Sequence, residues 1–470
     1  MKKVFGILRN NWKKSIFFGS VGAYGVKFGL RKKEENDLMK VRCQEASLMG
    51  QITKESPTRI TVILNPAADS GKARSKYEDY CAPLLHLAGV KVSVIRTEGM
   101  GQAKEIMKIM SDADAVLIAG GDGTLMETIT GLLRRKDANS YAKSIVLGVL
   151  PVGKDNKMAK TLFHDHSGND VDLMSSATMS VLNKLFRPMD VIEIANMDEE
   201  DEKKLYGLRS FHIGAFRDVH ERKEKFWLFG SLKNLFAYVF SYSTSQKEIN
   251  WDLNGVIQYS ETEELVKEVS NFKEKKTEVA ESPKSTARWL LSFFTGSSIG
   301  KASETREITF KRIRQWILLP VYQGLELFVS TENEVDKLEA KETNHMLKLR
   351  LGPKSLNFLD FVHEGWSREK NNSYTEDLYS NYVTKAVTFN AGKMKRDDSG
   401  VKFSLDNESI ELRGGLEISI LPNKVLMFCS KNNHFDYVID SDNDKTRIMN
   451  KKKWMQSSMG PSLSSPSKLI

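Results

Sequence analysis

The chain has 470 residues, with 70 Lys and Arg against 61 Asp and Glu, a formal charge of +9 at pH 7. Residues 1–33 hold nine of those basic residues and no acid, so the other 437 sum to zero. The net charge therefore belongs to an arm, which excludes a broadly basic nucleic-acid surface, and no nucleic-acid partner is expected. Three widely separated cysteines, Cys43, Cys81 and Cys429, exclude a disulfide framework and a cysteine-rich zinc site. His164 and His166 lie close together without a carboxylate-rich helix and receive no metal role.

Within the arm, Ser15 to Leu30 is an apolar run with Lys13-Lys14 before it and more lysines after it. As a helix it would span about 24 Å, short of the roughly 20 residues that usually cross a bilayer. A basic, acid-free, hydroxyl-bearing arm suits mitochondrial import, and residues 1–33 are expected to stay as a membrane anchor.

A βα series follows. Arg59–Leu64 reads as a strand ending in Asn65-Pro66, Ala67–Gly71 as a small-residue loop, and Lys72–Leu87 as a helix. Val90–Ile95 is a second strand, followed by Thr97–Gly101 and a helix over Gln102–Met110. The run Ala115-Val-Leu-Ile-Ala119 empties into Gly120-Gly-Asp-Gly-Thr124, with helical spacing from Leu125 to Leu133. Ser144–Leu150 is a fourth strand, ending in Pro151-Val-Gly-Lys-Asp-Asn156. This alternation predicts an α/β domain with a parallel sheet, whose loops converge beyond the carboxyl ends of the strands. Further on, Arg306–Phe310, Leu325–Val329, Ala386–Phe389 and Leu416–Ile420 have strand character. Residues 258–286 are highly charged, within an insertion of about 255–300, and 445–470 form a basic, Ser-rich tail expected to be disordered.

The glycine turn carries the chemistry. Backbone amides at a strand-to-helix turn, together with the helix N-terminus, make a phosphate cradle. Asp-Gly alone is an ordinary turn signal. Asp122 inside an anion-binding turn is unfavourable unless it holds a metal or takes a proton, so the motif points to phosphoryl transfer.

Several motifs together carry a resemblance: Asn65-Pro66, Gly71-Lys72-Ala73, Gly120-Gly-Asp-Gly-Thr124 with Glu127, and Pro151-Val-Gly153. With these the chain resembles the diacylglycerol kinase catalytic domain family, which includes sphingosine and ceramide kinases. Leu8-Arg-Asn, Ala82-Pro83, Gly101-Gln-Ala-Lys104, Gly131-Leu-Leu-Arg-Arg135 and Gly207-Leu-Arg209 are similar to its mitochondrial acylglycerol kinase branch. The resemblance covers residues 1–235 and returns at 400–430. It implies a diacylglycerol-kinase-like nucleotide-binding domain over 58–195 and a second, mostly β, lipid-binding domain over 196–435.

It also implies ATP and Mg²⁺. Gly120, Gly121, Gly123 and Thr124 would contact phosphates; Asn65, Gly71 and Lys72 would hold the β-phosphate; Thr97 would lie near the ribose or adenine. Glu127 would accept a ribose hydroxyl, and Gly153 and Lys154 would complete the cradle. The late turn Asp406-Asn-Glu408 resembles the family's Asp-Gly-Glu, so Asp406 joins Asp122 as a candidate metal ligand. Asp122 is the first candidate base and Glu408 the second. The chain departs from the family's Pro-x-Gly-Thr-x-Asn-Asp at Lys154 and Lys157.

The expected function is phosphorylation of the primary hydroxyl of mono- and diacylglycerol, with sphingosine or ceramide as the alternative acceptor. From a different class, the arm and the altered Lys154 loop suit a subunit of a mitochondrial protein-import translocase. The resemblance implies the inner membrane, facing the intermembrane space. Phe211–Asp218 leads into the substrate region, Leu228 and Phe229 are candidates for an acyl channel or for core, and Arg288–Phe294 for a membrane-surface contact.

Overall fold

The computed structural model describes residues 12–52, 59–111, 113–154, 156–163, 169–196, 204–245, 249–251, 256–260, 314–318, 322–334, 345–371, 378–390, 401–412, 415–431, 437–438 and 447–448. The strand expected at Arg306–Phe310, the membrane contact at Arg288–Phe294, most of the charged insertion and nearly all of the tail lie outside these residues.

A 41-residue helix, Trp12–Ile52 (α1), opens the chain. Residues 20–34 are exposed throughout, and Tyr24, Val26, Phe28 and Leu30 touch no core. From Glu35 onward α1 lies on the body, where Ala46 packs with Leu84, Ala88 and Met179. Residues 12–33 of the expected arm thus belong to a longer helix that packs on the body only further on. No helix among the described residues is long and apolar enough to cross a membrane.

The first sheet is built on Arg59–Leu64 (β1), Lys91–Arg96 (β2), Ala115–Gly120 (β3) and Val146–Pro151 (β4), all parallel. β3 is buried at every position, which explains its unbroken apolar sequence. β2 lies at the sheet edge and is largely exposed, so its alternation marks an edge and not a core strand. Between β1 and β2 the expected helix is interrupted by a π turn, Tyr77–Cys81, before Ala82–Leu87 (α2). Pro83 lacks the amide that would continue the regular ladder, which accounts for the irregular turn.

Gln102–Ile109 (α3) buries Ala103 and Met107, one helical turn apart, against Asp122–Leu133 (α4). Lys157–Leu162 (α5) and Asp170–Leu182 (α6) follow β4. Asn169 caps α6, its side chain accepting from the Val171 amide at 3.0 Å.

Phe186–Asn196 (β5) and Leu205–Gly207 (β6) extend the sheet. A strand from far along the chain enters between β4 and β5, so the sheet is not closed by the expected 58–195 segment alone. The second sheet holds Ser210–Gly214 (β7), followed by helices Ala215–Arg222 (α7) and Lys233–Ser245 (α8), then Glu326–Ser330 (β8) and Leu347–Leu351 (β9). Phe358–Asn371 (α9) packs on α8, and Ser380–Thr384 (β10) pairs with β9. Ala386–Asn390 (β11) returns to the first sheet.

Val401–Leu405 (β12) and Glu408–Leu412 (β13) form a hairpin turned by Asp406 and Asn407, both at positive φ (49° and 74°). That is a two-residue turn of the mirror-image kind, which favours Asn and Asp in the absence of glycine. Gly415–Phe428 (β14) is the inserted strand, parallel to β4 and antiparallel to β5, with an irregularity between Leu421 and Val425 where Pro422 cannot donate. The sheet orders are β2-β1-β3-β4-β14-β5-β6, with β11 on β14, and β10-β9-β8-β7-β12-β13. The fold is therefore an α/β domain on a mixed sheet, parallel over β1 to β4 and antiparallel at β5, β6 and β11, joined to a second, mostly antiparallel β domain.

Candidate active site at the glycine turn

Three loops are knitted together at the carboxyl ends of β1, β3 and β4. The Asn65 amide donates to Ala119 O at 2.9 Å, and its side chain donates to Thr124 Oγ1 at 3.1 Å while accepting from the Ala67 amide at 3.1 Å. Gly153 donates its amide to Gly120 O at 3.2 Å, and a Cβ there would lie 2.5 Å from Gly121 Cα. Only glycine permits that backbone-to-backbone approach. Gly120, Gly121 and Thr124 thus converge with Asn65 and Gly153.

A Cβ on Gly123 would lie 2.3 Å from Glu408 Oε1. The β12–β13 hairpin therefore carries an exposed carboxylate from the second domain directly onto the turn.

The two candidate metal ligands are differently employed. Asp122 Oδ2 accepts from the Lys157 amide at 2.9 Å and Oδ1 from the Met158 amide at 3.1 Å, satisfying the open N-terminus of α5. Burial raises its pKa to about 6, against the lowering effects of Arg209 and of the two amides. Asp406 is buried, with Oδ2 accepting from Leu208 N at 2.6 Å and Oδ1 from Arg209 N at 2.7 Å and Ser210 N at 2.9 Å. Burial raises its pKa as well, against those same amides. Magnesium demands near-octahedral oxygen ligands. Here each carboxylate oxygen already accepts an amide, and no group of three or more His, Cys, Asp or Glu among the described residues could hold a metal. Both carboxylates thus brace backbone, Asp122 at the start of α5 and Asp406 at the chain leading into β7.

Glu127 accepts from the Gly101 amide at 2.8 Å through Oε1 and so tethers the β2–α3 loop. Thr97 is buried at the end of β2, its amide bonded to Leu64 O at 2.9 Å. Gly71 takes a left-handed conformation (φ 87°), and Lys72 is exposed at the entrance to its helix.

Lys154 is exposed and pairs with Glu224 at 2.9 Å. The inward cation is Lys157, whose Nζ donates to Asn407 Oδ1 at 3.1 Å. Burial, then the charges of Arg209 and Lys223, push its ammonium down to about 8. Sequence reasoning noted Lys157 only as a departure; a lysine standing in a family's acidic position at the start of a helix was the available signal. Arg209 stood only within the family mark Gly207-Leu-Arg209, with no role attached, and Lys223 carried no signal. A second cavity, of about 490 Å³, lies near Ile60, Ala115 and Val146, at the opposite end of the strands from the glycine turn.

Comparison with known proteins now bears on this geometry. The diacylglycerol kinase catalytic domain matches residues 59–194, and the acylglycerol kinase C-terminal family matches residues 205–441. A mitochondrial acylglycerol kinase from Pongo abelii is 30% identical over 436 residues, covering 91% of this chain and 97% of that protein. The chain belongs to the acylglycerol kinase family. A mitochondrial acylglycerol kinase from Xenopus laevis is 39% identical over 242 residues, 51% of this chain and 55% of that one. The crystal structure of a diacylglycerol kinase from Bacillus anthracis str. Sterne is 13% identical, with a TM-score of 0.43 over 80% of this chain and 99% of that chain. As a member of the acylglycerol kinase family, the chain is an ATP-dependent lipid kinase, a transferase of lipid metabolism.

Proposed function

We propose that this kinase transfers the ATP γ-phosphoryl group to the primary hydroxyl of monoacylglycerol and diacylglycerol, giving lysophosphatidate and phosphatidate. The observation that carries the reading is the approach of Glu408 to Gly123, which brings a carboxylate of the acylglycerol-kinase half against the phosphate turn of the catalytic half. An alcohol has a pKa far above neutrality, so a base must take its proton as the P–O bond forms. Glu408 is exposed and beside the turn, which favours it over Asp122. Gly120, Gly121, Gly123 and Thr124 offer main-chain amides to the nucleotide phosphates, with Asn65 and Gly153 holding the turn and Gly71 and Lys72 on its rim. Thr97 and Glu127 shape the nucleoside side. Mg²⁺ enters this reading as the nucleotide's counter-ion. Purified full-length protein, labelled ATP and dispersed monoacylglycerol, diacylglycerol or sphingosine give the test. A glycerolipid is expected to win in kcat/KM by about tenfold or more; the same preference for sphingosine, or no product from any acceptor, defeats the reading.

The relatives are named as mitochondrial, and the exposed half of α1 favours membrane attachment there. We infer that residues 1–33 anchor the chain at the inner membrane, facing the intermembrane space, where it also serves as a subunit of a protein-import translocase. Deleting residues 1–33 should release the protein from carbonate-washed membranes and from its native-gel complex while sparing kinase activity. Gly123→Glu, which drives a bulky acid into Glu408, should do the reverse. A truncated chain that stays in the complex rules the anchor out.

A further inference from the structure

Beside the glycine turn, a cavity of about 310 Å³ opens between α7, α9 and the β12–β13 hairpin. Lys157, Arg209, Arg217, Lys223 and Arg368 line it, faced by Glu221 and Glu369 and by the imidazoles of His212 and His220. Two of these cations pair closely with more than one carboxylate, while Arg209 acts as an opposite charge on the buried Asp122 and Asp406. Arg217 pairs with Asp218 at 2.8 Å and Glu221 at 3.0 Å; Arg368 pairs with Glu326 at 2.6 Å and Glu364 at 2.9 Å.

The end nearest the glycine turn is different. Lys157 donates to a neutral amide, Asn407, and Lys223 lies 4.0 Å from Glu369 with its Nζ 3.2 Å from His220. Arg209 and Lys223 both act on Lys157 as like charges and outweigh the opposite charges of Glu369 and Asp122. Cations gathered in a partly dehydrated cavity are stabilised by an anion that enters it. The position adds a direction: the Lys157 amide bonds Asp122, and Asn407 immediately precedes Glu408. The positive end therefore adjoins the point where the phosphoryl group changes hands. Ser210, Ser404 and Ser409 supply hydroxyls along the wall. The volume is at the small end of ligand cavities, suited to a headgroup and not to acyl chains.

We propose that this cavity is a phosphate-monoester site, which receives the glycerol-phosphate headgroup of the phosphorylated lipid after transfer. The identity of the headgroup rests on the acylglycerol reading above; the phosphate site itself does not. A monoester carries close to two charges at neutral pH and a diester one, so the site should discriminate between them.

The test is calorimetric titration of the full chain with inorganic phosphate, glycerol 3-phosphate and the diester glycerophosphocholine, with and without a non-hydrolysable ATP analogue. Both monoesters are expected to bind, the diester not, and the analogue to leave the glycerol 3-phosphate affinity nearly unchanged. Lys223→Gln and Lys157→Met should each weaken binding by about tenfold, and Lys223→Gln should relieve inhibition by micellar lysophosphatidate to a similar degree. Equal binding of the diester, unchanged binding in both variants, or displacement by the ATP analogue overturns the proposal, the last because the cavity would then belong to the nucleotide. Phosphate binding that lysophosphatidate does not compete away overturns the lipid assignment in favour of the free ion. A chain that phosphorylates only sphingosine yet binds glycerol 3-phosphate here loses the acylglycerol reading and keeps the site.

Discussion

Glu408→Gln is expected to lower kcat by about 10²–10⁴-fold, the range for loss of a positioned general base, while leaving the KM for ATP and the melting temperature nearly unchanged. The side chain is exposed and projects from the hairpin onto Gly123, so its loss removes a proton acceptor without opening a core. Asp122→Asn should behave in the opposite sense. The amide keeps one acceptor for the two α5 amides and presents a donor to the other, so thermal stability falls and activity follows the loosened loop. Melting curves and single-turnover rates on both variants separate the roles. If Asp122→Asn abolishes chemistry at full stability and Glu408→Gln does not, Glu408 is not the base.

Arg368→Met is expected to destabilise the protein by about 3–5 kcal/mol, the usual consequence of stranding one partner of a buried pair. Glu326 is 1% exposed and accepts from both Arg368 guanidinium nitrogens, at 2.6 and 2.7 Å, from the Tyr379 hydroxyl at 2.9 Å, and contacts His212. Burial alone would raise its pKa; Arg368, then His212, outweigh burial and hold the carboxyl well below the usual range. The folded state thus resists protonation that the unfolded chain accepts near about 4.3. The contribution is complete above that value and is lost as pH falls toward the depressed folded one. Urea midpoints should therefore show a large gap between wild type and Arg368→Met at pH 7 that narrows in acid. Glu326→Gln with Arg368→Met should recover part of the loss. A single variant within about 1 kcal/mol of wild type at pH 7 would show that the pair is not the structural hub described.

What the sequence disclosed, and what it withheld, follows from where each partner lies along the chain. β1, β3 and β4 were legible because strands buried on both faces must be apolar throughout, and the glycine turn followed from its place after β3. The Asp406-Asn407 turn was legible through its resemblance to the family's Asp-Gly-Glu, and Asn407 stands for glycine there because asparagine tolerates positive φ. Family resemblance, not spacing, supplied the nucleotide roles. The backbone contacts of Asp122 and Asp406 were hidden, since their amide donors lie 35 to 36 and 196 to 198 positions away. Lys154 and Lys157 could not be ranked because direction at a loop is set by helix geometry, which turned Lys157 inward. The extent of α1 was missed because its second half takes its apolar contacts from α2 and α6, not from neighbours in sequence.

The insertion of β14 between β4 and β5 imposes an order in time. Synthesis delivers β1 to β4 long before their neighbour exists, and until Gly415–Phe428 emerges β4 presents an unpaired edge. Pairings of such long sequence separation form late and slowly. The same late stretch of chain brings Glu408, seven residues ahead of β14. An interrupted chain therefore lacks the strand and the Glu408 carboxylate together, and the open edge of β4 exposes it to chaperones and proteases before the second domain is built.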